Sequence, residues 1–99
     1  MAYRIRYLPK AVAQLDAILE HITAHNPAGA RRVIAAVKHS IDLLAAFPHS
    51  AKESEIPGIR EMPIVRYRYI VFYTVDDDAE EVIILRIRHA SQDPAHHLD

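Results

Sequence analysis

The chain has 99 residues, 51% of them hydrophobic and 25% charged, with a formal net charge of −1. That is one domain with a single core, burying roughly 60–70% of its unfolded surface, and its near-neutral charge speaks against a protein that grips nucleic acid with its whole surface. Cysteine is absent, which excludes a disulfide framework and thiolate chemistry and suits a reducing cytosol.

The N-terminal run MAYRIRYLPK has no apolar signal region, and no apolar stretch approaches the length of a membrane span, so a cytoplasmic protein without a membrane partner is expected. Residues 3–8 alternate: Tyr3, Ile5 and Tyr7 on one side, Arg4, Arg6 and Leu8 on the other. This is a short strand. Pro9 suits the first turn of a helix, and Ala11, Leu15, Ile18, Leu19 and Ile22 recur at helical spacing for about four turns. Leu8 offers this helix no cap. Asn26-Pro27 closes it and opens a second helix, with Asn as N-cap and Pro at its first position. Ala30, Val33, Ile34, Val37, Ile41 and Leu44 form the second apolar stripe, and this helix is expected to stop at Phe47, before Pro48. The short link makes the pair an antiparallel hairpin.

Residues 49–57 read as a polar loop ending at Pro57-Gly58. Ile59–Ile64 is a strand that Pro63 places at a sheet edge. Val65–Val75 and Val82–His89 are two further strands joined by the polar turn Asp76–Glu81. By parity, Tyr67, Tyr69, Val71, Tyr73, Val75, Ile83, Leu85 and Ile87 should face the core. The opposite face should carry Arg66, Arg68, Ile70, Phe72, Thr74, Val82, Ile84, Arg86 and Arg88, with guanidinium groups at one end and apolar side chains at the other. A merely solvated face has no use for Ile70, Phe72 and Ile84, so a cover is expected there.

The order is β-α-α-β-β-β, an α+β fold with a helical hairpin on one face of a small, mainly antiparallel sheet. It forms one domain over residues 1–99, with about 95–99 a flexible tail. The last three strands should form a meander, and the first should join beside Arg86 and Arg88, bringing Arg4 and Arg6 to the other arginines.

The stretches YRIRYLPKAVAQLDAILEHI, NPAGARRVIAAVKHSIDLLAAFP, PGIREMPIVRYRYIVFYTVDDD and EEVIILRIRHASQDP together resemble the RelE/ParE superfamily of bacterial toxins from type II toxin–antitoxin systems. The resemblance runs from Tyr3 to Pro94 and lies in order and spacing, with no catalytic fingerprint. It implies a growth-inhibiting toxin, of the kind tied to plasmid stabilization, neutralised by a ParD- or RelB-like antitoxin that wraps across it in a hetero-oligomer. ParE-like members poison DNA gyrase; RelE-like members cleave messenger RNA on the ribosome.

Metal-free RNA cleavage needs a base, an acid and cations that converge on one phosphate. Arg68 resembles a RelE-type arginine in its place within YRYIVFY, and Arg88 and His89 complete the set an endoribonuclease would use here. Arg60 and Glu61 could assist. After His89, however, Ala90-Ser91-Gln92 supplies no cation, and no tyrosine follows Tyr73. The set is short of a nuclease. His89 shares the parity of the apolar face, which suits a core-edge histidine. His21 and His25 stand four apart on one helix, but HITAH lacks the zincin glutamate and a third ligand. No metal site and no cofactor are expected. The reading is therefore a ParE-like gyrase inhibitor, with the ribosome-dependent endoribonuclease as its alternative. The antitoxin is expected on Arg4, Arg6, Arg66, Arg68, Ile70, Phe72, Ile84, Arg86 and Arg88.

Overall fold

The computed structural model describes residues 2–90; the residues after Ala90, including the expected tail, lie outside the described residues. Strand β1 spans Arg4–Tyr7, helices α1 and α2 span Pro9–His25 and Pro27–Leu43, and strands β2 to β5 span Lys52–Glu53, Arg60–Ile64, Tyr69–Asp76 and Glu81–His89. The sheet order is β1-β5-β4-β3-β2, antiparallel throughout except that β1 runs parallel to β5. This is the expected α+β fold. Among the described residues no helix is long and apolar enough to cross a membrane.

The helices start where the chain allows them to. Leu8 precedes α1 without a side-chain cap, and Pro9 fills the first turn, where its missing N–H costs nothing. Asn26 accepts a 2.9 Å hydrogen bond from the Gly29 amide and so caps α2. Regular α2 ends at Leu43 rather than Phe47. The amides of Leu44, Ala45 and Ala46 donate to the carbonyls three residues back, at Ile41, Asp42 and Leu43, so the last turn tightens before Pro48 breaks it.

The core forms where α1 and α2 lay their apolar stripes on the sheet. Val37, Ile41, Val71, Tyr73, Val82 and Ile84 are fully buried. Ile5, Tyr7, Leu15 and Ile18 pack around them. Tyr73 brings a hydroxyl into this core and has it satisfied: it donates to the Pro48 carbonyl at 3.0 Å and accepts from the Ala51 amide at 3.4 Å. Arg60 donates to the Ala51 carbonyl at 2.6 Å, pinning the same connection to β3. Tyr69 and Tyr73 are buried on the helix side, as parity requires, and Tyr67 packs against the same core from outside the strand.

Four sequence expectations change. The strand expected from Val65 begins only at Tyr69. Residues 65–67 form a 3-10 turn, closed by the Arg68 amide on the Ile64 carbonyl at 2.9 Å, and Arg68 itself takes a left-handed φ of 61°. The loop over residues 49–57 contains β2, which pairs with only Glu61 and Arg60. At Pro63, β3 is therefore still a sheet edge, as proline needs. Third, β1 joins β5 beside Glu81–Ile84, not beside Arg86 and Arg88. Fourth, the parity of β5 switches midway. Tyr73 pairs with Ile84 but Phe72 pairs with Arg86, leaving Leu85 as a bulge with no partner opposite it. Val82 and Ile84 thereby enter the core before the bulge and Ile87 after it, while Ile83 and Leu85 turn outward. The expected core places of Ile83 and Leu85, and the expected outward places of Val82 and Ile84, are corrected by this one extra residue.

Candidate functional site

The helices cover one face of the sheet and leave the other open. Strand register assigns the open face directly, because paired residues share a side. Ile70 lies opposite Arg88, Phe72 opposite Arg86 and Glu61, and Thr74 opposite Ile83. Leu85 joins this side at the bulge. Together with Ile56 and Ile59 from the β2–β3 loop, Ile70, Phe72 and Leu85 line a cavity of about 310 Å³ whose rim carries Glu61, Arg86 and Arg88. The Arg88 guanidinium sits 4.7 Å from the Phe72 ring centroid, a cation–π contact that holds the charge over the apolar floor.

The loop above this floor is tied down. Thr74 donates its hydroxyl to the Gly58 carbonyl at 2.7 Å, the Ser54 amide donates to the Ile59 carbonyl at 2.7 Å, and Ser54 Oγ accepts from the Ile56 amide at 3.1 Å. Gly58 has a φ of 83°, a left-handed conformation in which a side chain would be strained. Pro57-Gly58 thus sets a turn that keeps Ile56 beside the sheet. Ile56 remains 54% exposed at the mouth of the cavity. Lys52 lies 3.3 Å from Glu61 and offsets that carboxylate.

The arginines do not form one cluster. Arg4 and Arg6 lie 3.4 and 3.5 Å from the Glu81 carboxylate, at the end of the sheet away from Arg86 and Arg88. Their expected gathering with the other arginines fails because β1 is only four residues long and pairs below the bulge. Arg66 and Arg68 are exposed on the 3-10 turn at the opposite end, with the Arg66 guanidinium 5.8 Å from the Tyr67 ring centroid. Only Arg86 and Arg88 share the cavity rim with Ile70 and Phe72. Ile84, expected in the same patch, is fully buried on the far side.

Arg88 and His89 separate by the ordinary alternation of a strand. Arg88 lies on the open face, whereas His89 pairs with Tyr69 and meets its ring edge-on at 5.2 Å on the helix side. There His89 borders a second cleft, of about 530 Å³, between α1 and the outer edge of β5, whose lining also takes in Arg86 and Arg88, although the Arg88 guanidinium itself stands over Phe72. Gln14 reaches across that cleft and accepts the Ile87 amide at 2.7 Å, standing in for the strand that β1 is too short to supply. Burial alone pushes the Tyr69 phenol above its ordinary pKa. His21 and His25 contact each other at 5.3 Å between ring centroids, and His25 Nδ1 lies 3.0 Å from the His21 carbonyl. Among the described residues no group of three or more His, Cys, Asp or Glu is placed to hold a metal ion.

Of the residues expected at the site, Ile70, Phe72, Arg86 and Arg88 lie together on the open face; Leu85, Ile56 and Ile59, which sequence pattern does not place there, join them, and Gln14 closes the edge of β5. Leu85 was hidden by the bulge. Ile56 and Ile59 flank Pro57-Gly58, and a large apolar pair around a turn is a signal of a loop folded onto something rather than away from it.

A helical hairpin on one side of this mixed sheet, with the other side open, is the architecture of a class of small bacterial toxins. The chain matches the solved chromosomal ParDE toxin–antitoxin system from P. aeruginosa with a TM-score of 0.80 and 26% identity, covering 91% of this chain and 98% of that one. Protein Y4kP of Sinorhizobium fredii is 35% identical over 89 residues, which is 90% of each chain. Toxin RelE2 of Caulobacter vibrioides is 34% identical over 83 residues, 84% of this chain and 90% of its own length. The family model described as the ParE toxin of the type II toxin–antitoxin system parDE matches residues 5–94. The chain belongs to this ParE toxin family.

Proposed function

We propose that this toxin acts by binding DNA gyrase and is held inactive by a cognate antitoxin seated on its open sheet face. The observation that carries the first half is the divergence of Arg88 and His89. A nuclease centre needs its cation and its proton-transfer group on one phosphate. Here the Arg88 guanidinium lies over Phe72 on one side of the sheet, and His89 lies against Tyr69 on the other. Arg68, the third member of that set, sits exposed on the turn before β4. Membership of the ParE family supports the same reading.

The second half rests on the open face itself. Ile70, Phe72 and Leu85 form an apolar floor beside two guanidinium groups. An acidic, amphipathic segment complements that surface, its apolar side chains on the floor and its carboxylates on Arg86 and Arg88. The resulting species in the cytoplasm is a toxin–antitoxin hetero-oligomer of one domain per toxin chain.

Expression without the antitoxin tests the target. Filamentation and DNA damage with continuing translation, and gyrase–DNA cleavage complexes accumulating in a purified gyrase reaction, are the expected results. The relative named toxin RelE2 favours a second reading, a ribosome-dependent mRNA endoribonuclease. Ribosome-dependent cuts in a purified translation system, abolished by Arg68→Ala, Arg88→Ala or His89→Ala, would replace the gyrase reading with that one.

A further inference from the structure

We propose that the cavity between the Leu85 bulge and the Ser54–Ile59 loop is a socket for one large apolar anchor of the antitoxin, flanked on its β5 side by an acidic residue. This rests on the placement of the antitoxin on the open face and assigns the position at which recognition concentrates.

The socket exists because of two departures from regular structure. With Ile84 in the core, alternation turns Leu85 outward, and the bulge turns Arg86 outward as well, so Leu85 joins Phe72 and Ile70 in one wall with Arg86 and Arg88 beside it. The facing wall is the loop carrying Ile56 and Ile59, fixed by the Thr74–Gly58 and Ser54–Ile59 hydrogen bonds. Both walls are thus set before any partner arrives, which lowers the cost of ordering them on binding. A cavity of about 310 Å³ takes one aromatic or branched aliphatic side chain with its backbone attachment. Buried anchors of this kind in central pockets carry most of the energy of a protein interface.

Charge gives the bound segment a direction. Arg86 and Arg88 stand on the β5 rim, whereas Glu55 stands on the loop and Glu61 on β3, with Glu61 already paired to Lys52. A carboxylate next to the anchor is attracted on the β5 side and repelled by Glu55 on the loop side. An antitoxin segment that is acidic on both sides of its anchor meets this rim less well than one that is acidic on one side only.

The test uses the full toxin, carbon-13 labelled in its Ile and Leu methyl groups, titrated with the antitoxin encoded beside it. Methyl shifts at Ile83 report the open face outside the socket; those at Ile70, Leu85, Ile56 and Ile59 report the socket. Leu85→Trp, which fills the cavity, should weaken binding about 30-fold or more. Ile83→Trp, on the same face outside it, should change binding less than about 3-fold. Should Leu85→Trp fail to fold by circular dichroism, Ile56→Glu on the exposed loop wall takes its place with the same expected loss. In Leu85→Ala, a tryptophan in place of the antitoxin's anchor should restore binding. Shifts at Ile83 without any at Ile70, Leu85 or Ile56 would sink the socket and leave the open-face reading standing. Equal losses from Leu85→Trp and Ile83→Trp would also sink it. No shift at any of the five methyl-bearing residues would remove both readings. Concentration-dependent socket shifts in toxin alone would assign the cavity to a second copy and overturn the proposal.

Discussion

Tyr3 donates a 2.7 Å hydrogen bond to Asp77, joining the residue just before β1 to the turn between β4 and β5. His49 Nε2 lies 2.9 Å from the same carboxylate oxygen, so the α2–β2 connection meets them there. The Tyr3 hydrogen bond foremost, and then that of His49, hold the Asp77 carboxyl below its ordinary range. A carboxylate with a depressed folded pKa contributes stability that is present above its unfolded pKa, about 3.9, and is lost as pH falls through the folded value. Asp77→Asn should therefore lower the Tm at neutral pH and flatten its decline below about pH 4. Calorimetric scans across the acid range check this, and parallel declines in the two proteins would count against it.

The tyrosines act at the other limb. Burial raises the phenols of Tyr7, Tyr69 and Tyr73 above their ordinary value. Their contribution is complete below the unfolded pKa of about 10 and disappears as pH rises through the folded values. The part of the tyrosinate absorbance that these three contribute should therefore rise together with loss of circular dichroism, in one cooperative step. Full tyrosine ionisation in a still-folded protein would contradict the packing of these side chains.

The bulge makes an unusual set of expectations for one strand. Ile84→Glu and Tyr69→Glu place an unpaired carboxylate in the core and should unfold the protein, at a cost of about 4 kcal/mol or more. Leu85→Glu, which regular alternation would class with them, should cost about 1 kcal/mol or less because Leu85 opens onto solvent. Denaturant midpoints for the three variants decide the register. A Leu85→Glu protein that fails to fold would restore regular alternation.

At the helix junction, Asn26→Ala should cost about 1 kcal/mol through loss of the α2 cap. Gly29→Ala has two opposed effects. Alanine favours the helix by about 1 kcal/mol over glycine, but its Cβ would stand 2.6 Å from Asn26 Nδ2, displacing the capping side chain. The substitution should be neutral or destabilising in the wild-type background and stabilising once Asn26 is alanine. A double-mutant cycle measures the sign change directly.

On the open face, Phe72→Ala should raise the antitoxin dissociation rate while leaving association nearly unchanged. Arg86→Ala should slow association, most at low salt, because charge steers the encounter whereas apolar contact holds the complex. Stopped-flow and chase experiments at two ionic strengths separate the two. Salt-insensitive binding unaffected by either change would move the antitoxin to the helices.

Much of this architecture is legible in the sequence because alternation and helical spacing are strong signals. Pro9, Asn26-Pro27 and the run Asp76–Glu81 punctuate the chain at the places where the structure turns. The misplaced residues share one physical cause. Val82, Ile83, Ile84 and Leu85 are apolar without interruption, so no polar residue marks which side is out, and a bulge in such a run has no local trace. Arg4 and Arg6 would suit any edge position; their place is set by Glu81, a pairing across the sheet that local pattern cannot supply. The pairing of Tyr3, His49 and Asp77 is equally remote in sequence, and Gln14 looks like an ordinary helix-surface residue until β1 proves too short to cover Ile87.

The placement of β1 against β5 also orders events during synthesis. The helical hairpin and the β3–β4–β5 meander join neighbours along the chain, and contacts of that kind form early. Strand β1, made before the other four strands, pairs with a strand whose Glu81 lies 77 residues after Arg4. It must wait, with its N–H and C=O groups in water, until that partner emerges. Nascent chains still short of Glu81 therefore lack the sheet's first edge, and a truncation before that point should yield a protein that neither folds nor harms its host.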